Sequence, residues 1–97
     1  MNIVEAKNGS ELTLKIEGRL DTTTSPVLEE RLNSLEGVKE LIIDCESLEY
    51  ISSSGLRCLL KAQKMMNTNG SMKVTHVNEL VAEVFDITGF SDILTIE

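Results

Sequence analysis

The 97-residue chain is short of the residues that usually announce chemistry. It has one histidine, His76, and two cysteines, Cys45 and Cys58. A metal site would need more Cys and His at ligand spacing, and two cysteines make neither a disulfide framework nor a zinc signature. Cys45 ends an apolar run and Cys58 falls in a helical stretch, so both read as small apolar packing residues. Tryptophan is absent and aromatics are 3% of the chain, so any core must be mostly aliphatic. No apolar run approaches the ~18 residues of a membrane span. Met1 to Glu5 is too polar for a signal peptide, and a soluble, cytoplasmic protein is expected, with no direct membrane insertion. Basic residues are scarce too: nine Lys and Arg face sixteen Asp and Glu, a net charge of −7. Nucleic acids are gripped by Lys and Arg. So few, in no evident cluster, argue against a nucleic-acid partner.

What is present suits one small α/β domain over residues 1–97. Apolar residues make up 41% of the chain, and a domain of this size buries roughly 60–65% of its unfolded surface. Residues 2–6 read as a first strand and Asn8-Gly9 as a turn. Glu11 to Glu17 then alternates strictly, with Leu12, Leu14 and Ile16 on one face, so a hairpin is expected. Ser25 as N-cap with Pro26 at the first helical position starts a helix. Val27, Leu28, Leu32 and Leu35 supply its stripe, and Gly37 its end. Glu40 to Cys45 is nearly continuous in apolar residues and reads as a central strand covered on both faces or nearly so. A long helix follows Ser52-Ser53-Ser54-Gly55, carrying Leu56, Leu59 and Leu60, until Asn69-Gly70. Residues 71–77 alternate like a strand. Asn78 caps a helix with Leu80, Val81, Val84, Phe85 and Ile87 that Gly89 stops. Ile93 to Ile96 closes the chain as a last short strand. The order is β-β-α-β-α-β-α-β, a mixed sheet whose helix-separated strands run parallel.

Three serines and a glycine stand where a strand region becomes a helix. Ser52, Ser53 or Ser54 can cap that helix. The same helix start, with its unpaired N–H groups and dipole, equally suits a phosphate carried by a serine. A nucleophilic serine is the third reading. It lacks the glycine two residues before the serine that a hydrolase elbow needs, and His76 is the only base. Neither Gly-x-Gly-x-x-Gly nor Gly-x-x-x-x-Gly-Lys-Ser/Thr occurs, so neither usual nucleotide cradle is present and no cofactor is implied. Asp21 follows a strand and opens a Thr-rich loop, where it reads as a turn former or an Asx-type cap to Thr23 or Thr24.

Three stretches resemble the STAS family, the sulfate-transporter and anti-sigma-factor-antagonist domains, and within it the stand-alone bacterial antagonists. Gly18-Arg19-Leu20-Asp21 is similar to the family's Gly-x-Leu-Asp segment. Leu41 to Ile51 is similar to its central strand and the approach to the switch serine. Ser52-Ser53-Ser54-Gly55-Leu56 is similar to its Asp-Ser-Ser-Gly-Leu motif, with Ser52 standing where the family has aspartate. Gly70 and Val84 to Phe90 extend the likeness over essentially the whole chain. The resemblance implies an anti-sigma-factor antagonist that regulates sigma-factor-dependent transcription by partner switching. Unphosphorylated, it would bind an anti-sigma factor that is a serine kinase; phosphorylated on Ser53, it would let go. A serine phosphatase would reset it. Asp21, Thr22, Ser52 and Ser54 would belong to the kinase-facing surface, and Gly55 would let the partner approach closely. The protein would then be a regulatory binding protein and not an enzyme. A non-switching STAS subunit of a membrane-transport or stress-signalling assembly is the alternative.

Overall fold

A computed structural model describes residues 1–97. Strands β1 (Asn2–Asn8) and β2 (Glu11–Leu20) form the expected antiparallel hairpin, with Ile3 opposite Ile16 and Asn8 opposite Glu11. Helix α1 (Ser25–Leu32) leads to β3 (Glu40–Asp44) and β4 (Leu48–Ile51). Helix α2 (Ser53–Asn69), β5 (Ser71–Thr75), α3 (Glu79–Thr88) and a 3₁₀ turn at Phe90–Asp92 complete the chain. The sheet order is β1-β2-β3-β5, and β4 pairs with the far end of β2. Apart from the leading hairpin, every pairing is parallel. This is the mixed α/β sheet expected of the sequence, with two differences in its elements.

The first difference is the identity of the fifth strand. Leu48–Ile51 is a strand, whereas Ile93–Ile96 makes only a single bridge, Val74 to Ile96. The 3₁₀ turn leaves too little chain for a longer ladder. What holds this terminus is the Thr95 carbonyl, which accepts from Val74 N–H at 2.8 Å, and burial of Leu94. The Gln63 side chain, buried in α2, accepts from Thr95 N–H at 3.3 Å and donates to Asn67 Oδ1 at 2.9 Å, so its amide is satisfied.

The second difference is that β3 is not covered on both faces. Leu41 and Ile43 are fully buried with Leu12, Leu14, Ile16, Met72 and Val74. By register these share one face of the sheet, the one the helices cover. Ile42 points the other way, half-buried between Thr13 and Lys73. No helix lies over that face. Its rows are instead polar, with Lys73 paired to Glu40 at 3.4 Å and Lys15 to Glu46 at 3.7 Å. The domain is therefore two layers thick.

The helices meet the sheet through Leu28 and Leu32 of α1, Leu56, Leu59, Ala62 and Met66 of α2, and Val81 and Phe85 of α3. Helix α3 buries only part of its apolar set, leaving Leu80 and Ile87 56% and 76% exposed. Helix α1 ends at Leu32, a turn earlier than its apolar spacing implies, and Val27 is exposed. Arg31 ties α1 to the edge strand: Nε and Nη2 each donate to a Glu5 carboxylate oxygen at 2.7 Å. This forked pair holds the Glu5 carboxyl below its usual range through the Arg31 hydrogen bond, and lifts the guanidinium by the same bond. Between α2 and β5, a Cβ on Gly70 would run into the Lys39 carbonyl, so only glycine fits that close approach. Asn78 caps α3, accepting from Val81 N–H at 2.9 Å while its own amide donates to Leu48 O at 2.7 Å. Both cysteines are buried and free. Burial, and secondarily Asp44, push the Cys45 thiol up to about 12; burial also raises Cys58. No helix is long and apolar enough to cross a membrane.

Candidate functional site

Residues far apart in sequence meet because β4 runs parallel beside the end of β2. Arg19 lies opposite Tyr50 and Leu20 opposite Ile51, and Ser52 N–H donates to Leu20 O at 2.9 Å. Two parallel neighbours finish at the same level, so the turns that follow them emerge side by side. One is Asp21 to Thr24, leading into α1; the other is Ser52 to Ser54, opening α2.

Asp21 organises the first turn. Its Oδ1 accepts from the Thr23 N–H at 3.0 Å, the Thr24 N–H at 3.2 Å and the Thr23 hydroxyl at 2.7 Å. These bonds stabilise the charged carboxylate and hold its pKa below the usual range, the Thr23 hydroxyl contributing most. The Asx-type cap expected here is thus formed. Ser25 is not the N-cap of α1. That position falls to Thr24, whose side chain caps nothing, and the Ser25 hydroxyl donates back to Asp21 O at 2.6 Å. The upstream carboxylate instead ties down the turn that precedes the helix, through the Thr23 and Thr24 N–H groups.

The three serines of the second turn have three different surroundings. Ser52 is the N-cap of α2, its Oγ accepting from Gly55 N–H at 3.3 Å. Ser54 Oγ sits between Thr22 Oγ1 and Arg57 Nη2, each at 3.3 Å, and so stitches the two turns together. Ser53 is exposed, and its hydroxyl makes no hydrogen bond to the protein. Gly55 has a packing role inside the fold. It is buried, and a Cβ there would lie 2.8 Å from Leu20 Cγ and 2.9 Å from Ile51 Cγ1. Within the fold, the close approach it permits is of α2 to the ends of β2 and β4.

Arg19 and Tyr50 flank the site. The Arg19 guanidinium lies 4.2 Å from the Tyr50 ring centroid, a cation–π contact, and Arg19 Nε is 3.8 Å from Asp21 Oδ2. Beside the serines, a groove of about 370 Å³ runs between α1 and α2, with Thr22, Ser54, Arg57 and Lys61 on its walls. Every charged residue of α2 is basic: Arg57, Lys61 and Lys64. Arg57 and Lys61 share the groove beside the serine turn, Lys61 being paired there with Glu29 at 3.0 Å. Neither Tyr50 nor Arg57 stood out in the sequence. The Ser53–Arg57 spacing of one helical turn was the signal for Arg57, and the Arg19–Tyr50 pair needs the β2–β4 register.

His76 is elsewhere. It leaves β5 in the left-handed region at φ 55°, and its Nδ1 lies 3.1 Å from Asp44 Oδ1. No hydrogen bond joins it to Ser52, Ser53 or Ser54. The serine–histidine pairing of a hydrolase is not formed.

A parallel strand pair thus presents a capped serine turn beside an Asx turn, on a one-faced mixed α/β sheet, with an exposed serine at the helix start. The model of the STAS domain family matches residues 2–97, and the chain belongs to that family. It is 33% identical to the anti-sigma-B factor antagonist of Bacillus subtilis, over 99% of this chain and 90% of that one. Two solved structures share its fold. An anti-sigma factor antagonist from Mycobacterium paratuberculosis superposes with a TM-score of 0.87 at 18% identity, covering 98% of this chain and 83% of the other. The Bacillus cell fate determinant SpoIIAA in its phosphorylated form superposes at 0.77 and 15% identity, covering 99% and 91%.

Proposed function

We propose that this protein is a cytoplasmic anti-sigma-factor antagonist that binds a serine-kinase anti-sigma factor and is released when Ser53 is phosphorylated. The observation that carries the reading is the sorting of the three serine hydroxyls. Ser52 is spent on the helix cap and Ser54 on the Thr22–Arg57 stitch, while the Ser53 hydroxyl is exposed and free. A kinase can take it without breaking a bond that holds the fold. In that step Ser53 Oγ attacks the terminal phosphorus of ATP bound to the partner. The bond from that phosphorus to ADP breaks, and the hydroxyl proton passes to a base on the kinase. The relationship to a named anti-sigma-B factor antagonist supports the same role. So does the phosphorylated state in which SpoIIAA, which shares the fold, has been solved.

The chain acts here as a binding partner, not as an enzyme. Asp21, Thr22, Ser52 and Ser54 fix the surface on which Ser53 is offered. Phosphate adds a charge of about −1.5 to −2 at the start of α2, where free N–H groups and the helix dipole accommodate it. The domain has no need to refold. Like charge brought against a matched docking face costs several kcal/mol, enough to turn binding into release. A serine phosphatase would restore the binding form.

The test is a pull-down from a lysate of the source organism with Ser53→Ala and Ser53→Asp baits side by side. Retention of a small ATP-binding serine kinase by the Ala bait, with weaker retention by the Asp bait, is expected. Aspartate carries less charge than phosphate, so its release will be incomplete. Equal recovery of transport-assembly subunits by both baits overturns the switch and favours a non-switching STAS subunit.

A further inference from the structure

Resting on that reading of Ser53, we propose that Arg57 is the built-in counter-ion of the phosphorylated serine. Arg57 stands four residues after Ser53 on α2, a spacing that puts both side chains on one helical face. Its guanidinium already reaches back to the first turn, donating from Nη2 to Ser54 Oγ at 3.3 Å. The chain has two other arginines, and each has a carboxylate: Arg19 is paired with Asp21 and Arg31 with Glu5. Arg57 has none, although acidic residues outnumber basic ones sixteen to nine. It is an exposed guanidinium with no carboxylate partner, one turn from an exposed hydroxyl that bonds nothing in the protein.

A bond from Arg57 to a neutral hydroxyl is weak beside a charge-assisted, two-pronged one to phosphate. Once Ser53 is modified, the guanidinium exchanges Ser54 Oγ for the phosphate oxygens. Ser54 keeps its contact with Thr22, so the two turns stay joined. The single modification then has two effects on the docking face. It adds an anion, and it withdraws the nearest free cation from any carboxylate that the partner presents to it. It also holds the phosphate in one place against the helix instead of letting it sweep the surface.

The experiment uses full-length protein with phosphoserine inserted at position 53 during translation, as wild type, Arg57→Gln and Arg57→Lys. The ³¹P shift of each is followed from about pH 4 to pH 8, across the second phosphate ionisation near 6. A guanidinium bound to the dianion lowers that midpoint, by about half a pH unit relative to Arg57→Gln for an exposed pair one turn apart. Arg57→Lys should fall between the two, since an ammonium restores charge but not the fork. Equal midpoints in wild type and Arg57→Gln overturn the assignment. A merely structural role for Arg57 would shift the melting curve without moving the phosphate titration. No kinase is needed to make the sample, so the two ideas fail separately. Partner binding that ignores the phosphate refutes the switch, and equal midpoints refute Arg57 alone.

Discussion

Replacing Gly55 with alanine separates two explanations of a glycine beside the exposed serine. If it were there for a partner, Gly55→Ala would leave the free protein intact or improve it. Alanine is better than glycine in a helix by about 1 kcal/mol. The packing says otherwise. A Cβ would stand 2.8 Å from Leu20 Cγ, 2.9 Å from Ile51 Cγ1 and 3.0 Å from Leu20 Cδ2. Leu20 is fully buried and Ile51 nearly so, and the closest atom is a branch point, not a flexible tip. Overpacking of that kind costs about 1–3 kcal/mol. After the helix-propensity gain, the net loss is about 1 kcal/mol and at most about 2. In a domain near 100 residues each kcal/mol lowers Tm by about 4–8 °C. Thermal melts followed by circular dichroism should therefore show Gly55→Ala unfolding clearly below wild type. A Tm equal to or above wild type would refute the packing argument and return Gly55 to the partner surface.

Two further outcomes follow from the ionisable groups. Asp21 has a lowered pKa in the folded state, so its contribution to stability is present above the unfolded value and is lost as pH falls through the folded one. In urea melts Asp21→Asn should destabilise at pH 7, with the gap to wild type closing as pH falls below the ordinary carboxylate range; a gap that does not change with pH would show that the charge is irrelevant. Cys45 is inaccessible and its thiol is pushed up to about 12, so it should resist a thiol-specific disulfide reagent at pH 8 until urea opens the fold. Stoichiometric reaction of Cys45 in native buffer would contradict its burial.

The sheet's polarity was legible where side chains alternate. Glu11 to Glu17 carries Leu12, Leu14 and Ile16 at period two, and those three are among the least exposed residues of the protein. Helix stops and caps were legible at Asn78 and Gly89, because each performs one local job that depends on few neighbours. Leu48–Ile51 was harder to read as a strand. It is four residues long, buried at both ends and exposed in the middle, so it shows no period; only its ladder with β2 defines it. The outer face of β3 misled for a related reason. An apolar Ile42 says that a position tolerates burial, not that a helix covers it. At the site, the serine triplet announced a helix start, but nothing local divides its hydroxyls. That division depends on Thr22 and Arg57, one from another loop and one from the next helical turn.

The way the two turns are built bears on how the proposed switch would work. Asp21 binds its own loop, Ser52 caps its own helix, and Ser54 joins the loops, so these three residues around Ser53 are already committed to holding the backbone where it is. Beneath them the helix start rests on Leu20 and Ile51 with no room for even a methyl group. A conformational switch would have to break several of these contacts together. A charge switch breaks none of them. It needs only a reachable hydroxyl, a helix end that tolerates an anion, and a docking partner sensitive to sign. On the proposed reading, the fixed site and its suitability for phosphate go together: a surface held in place this way would need only a change of charge to change what binds to it.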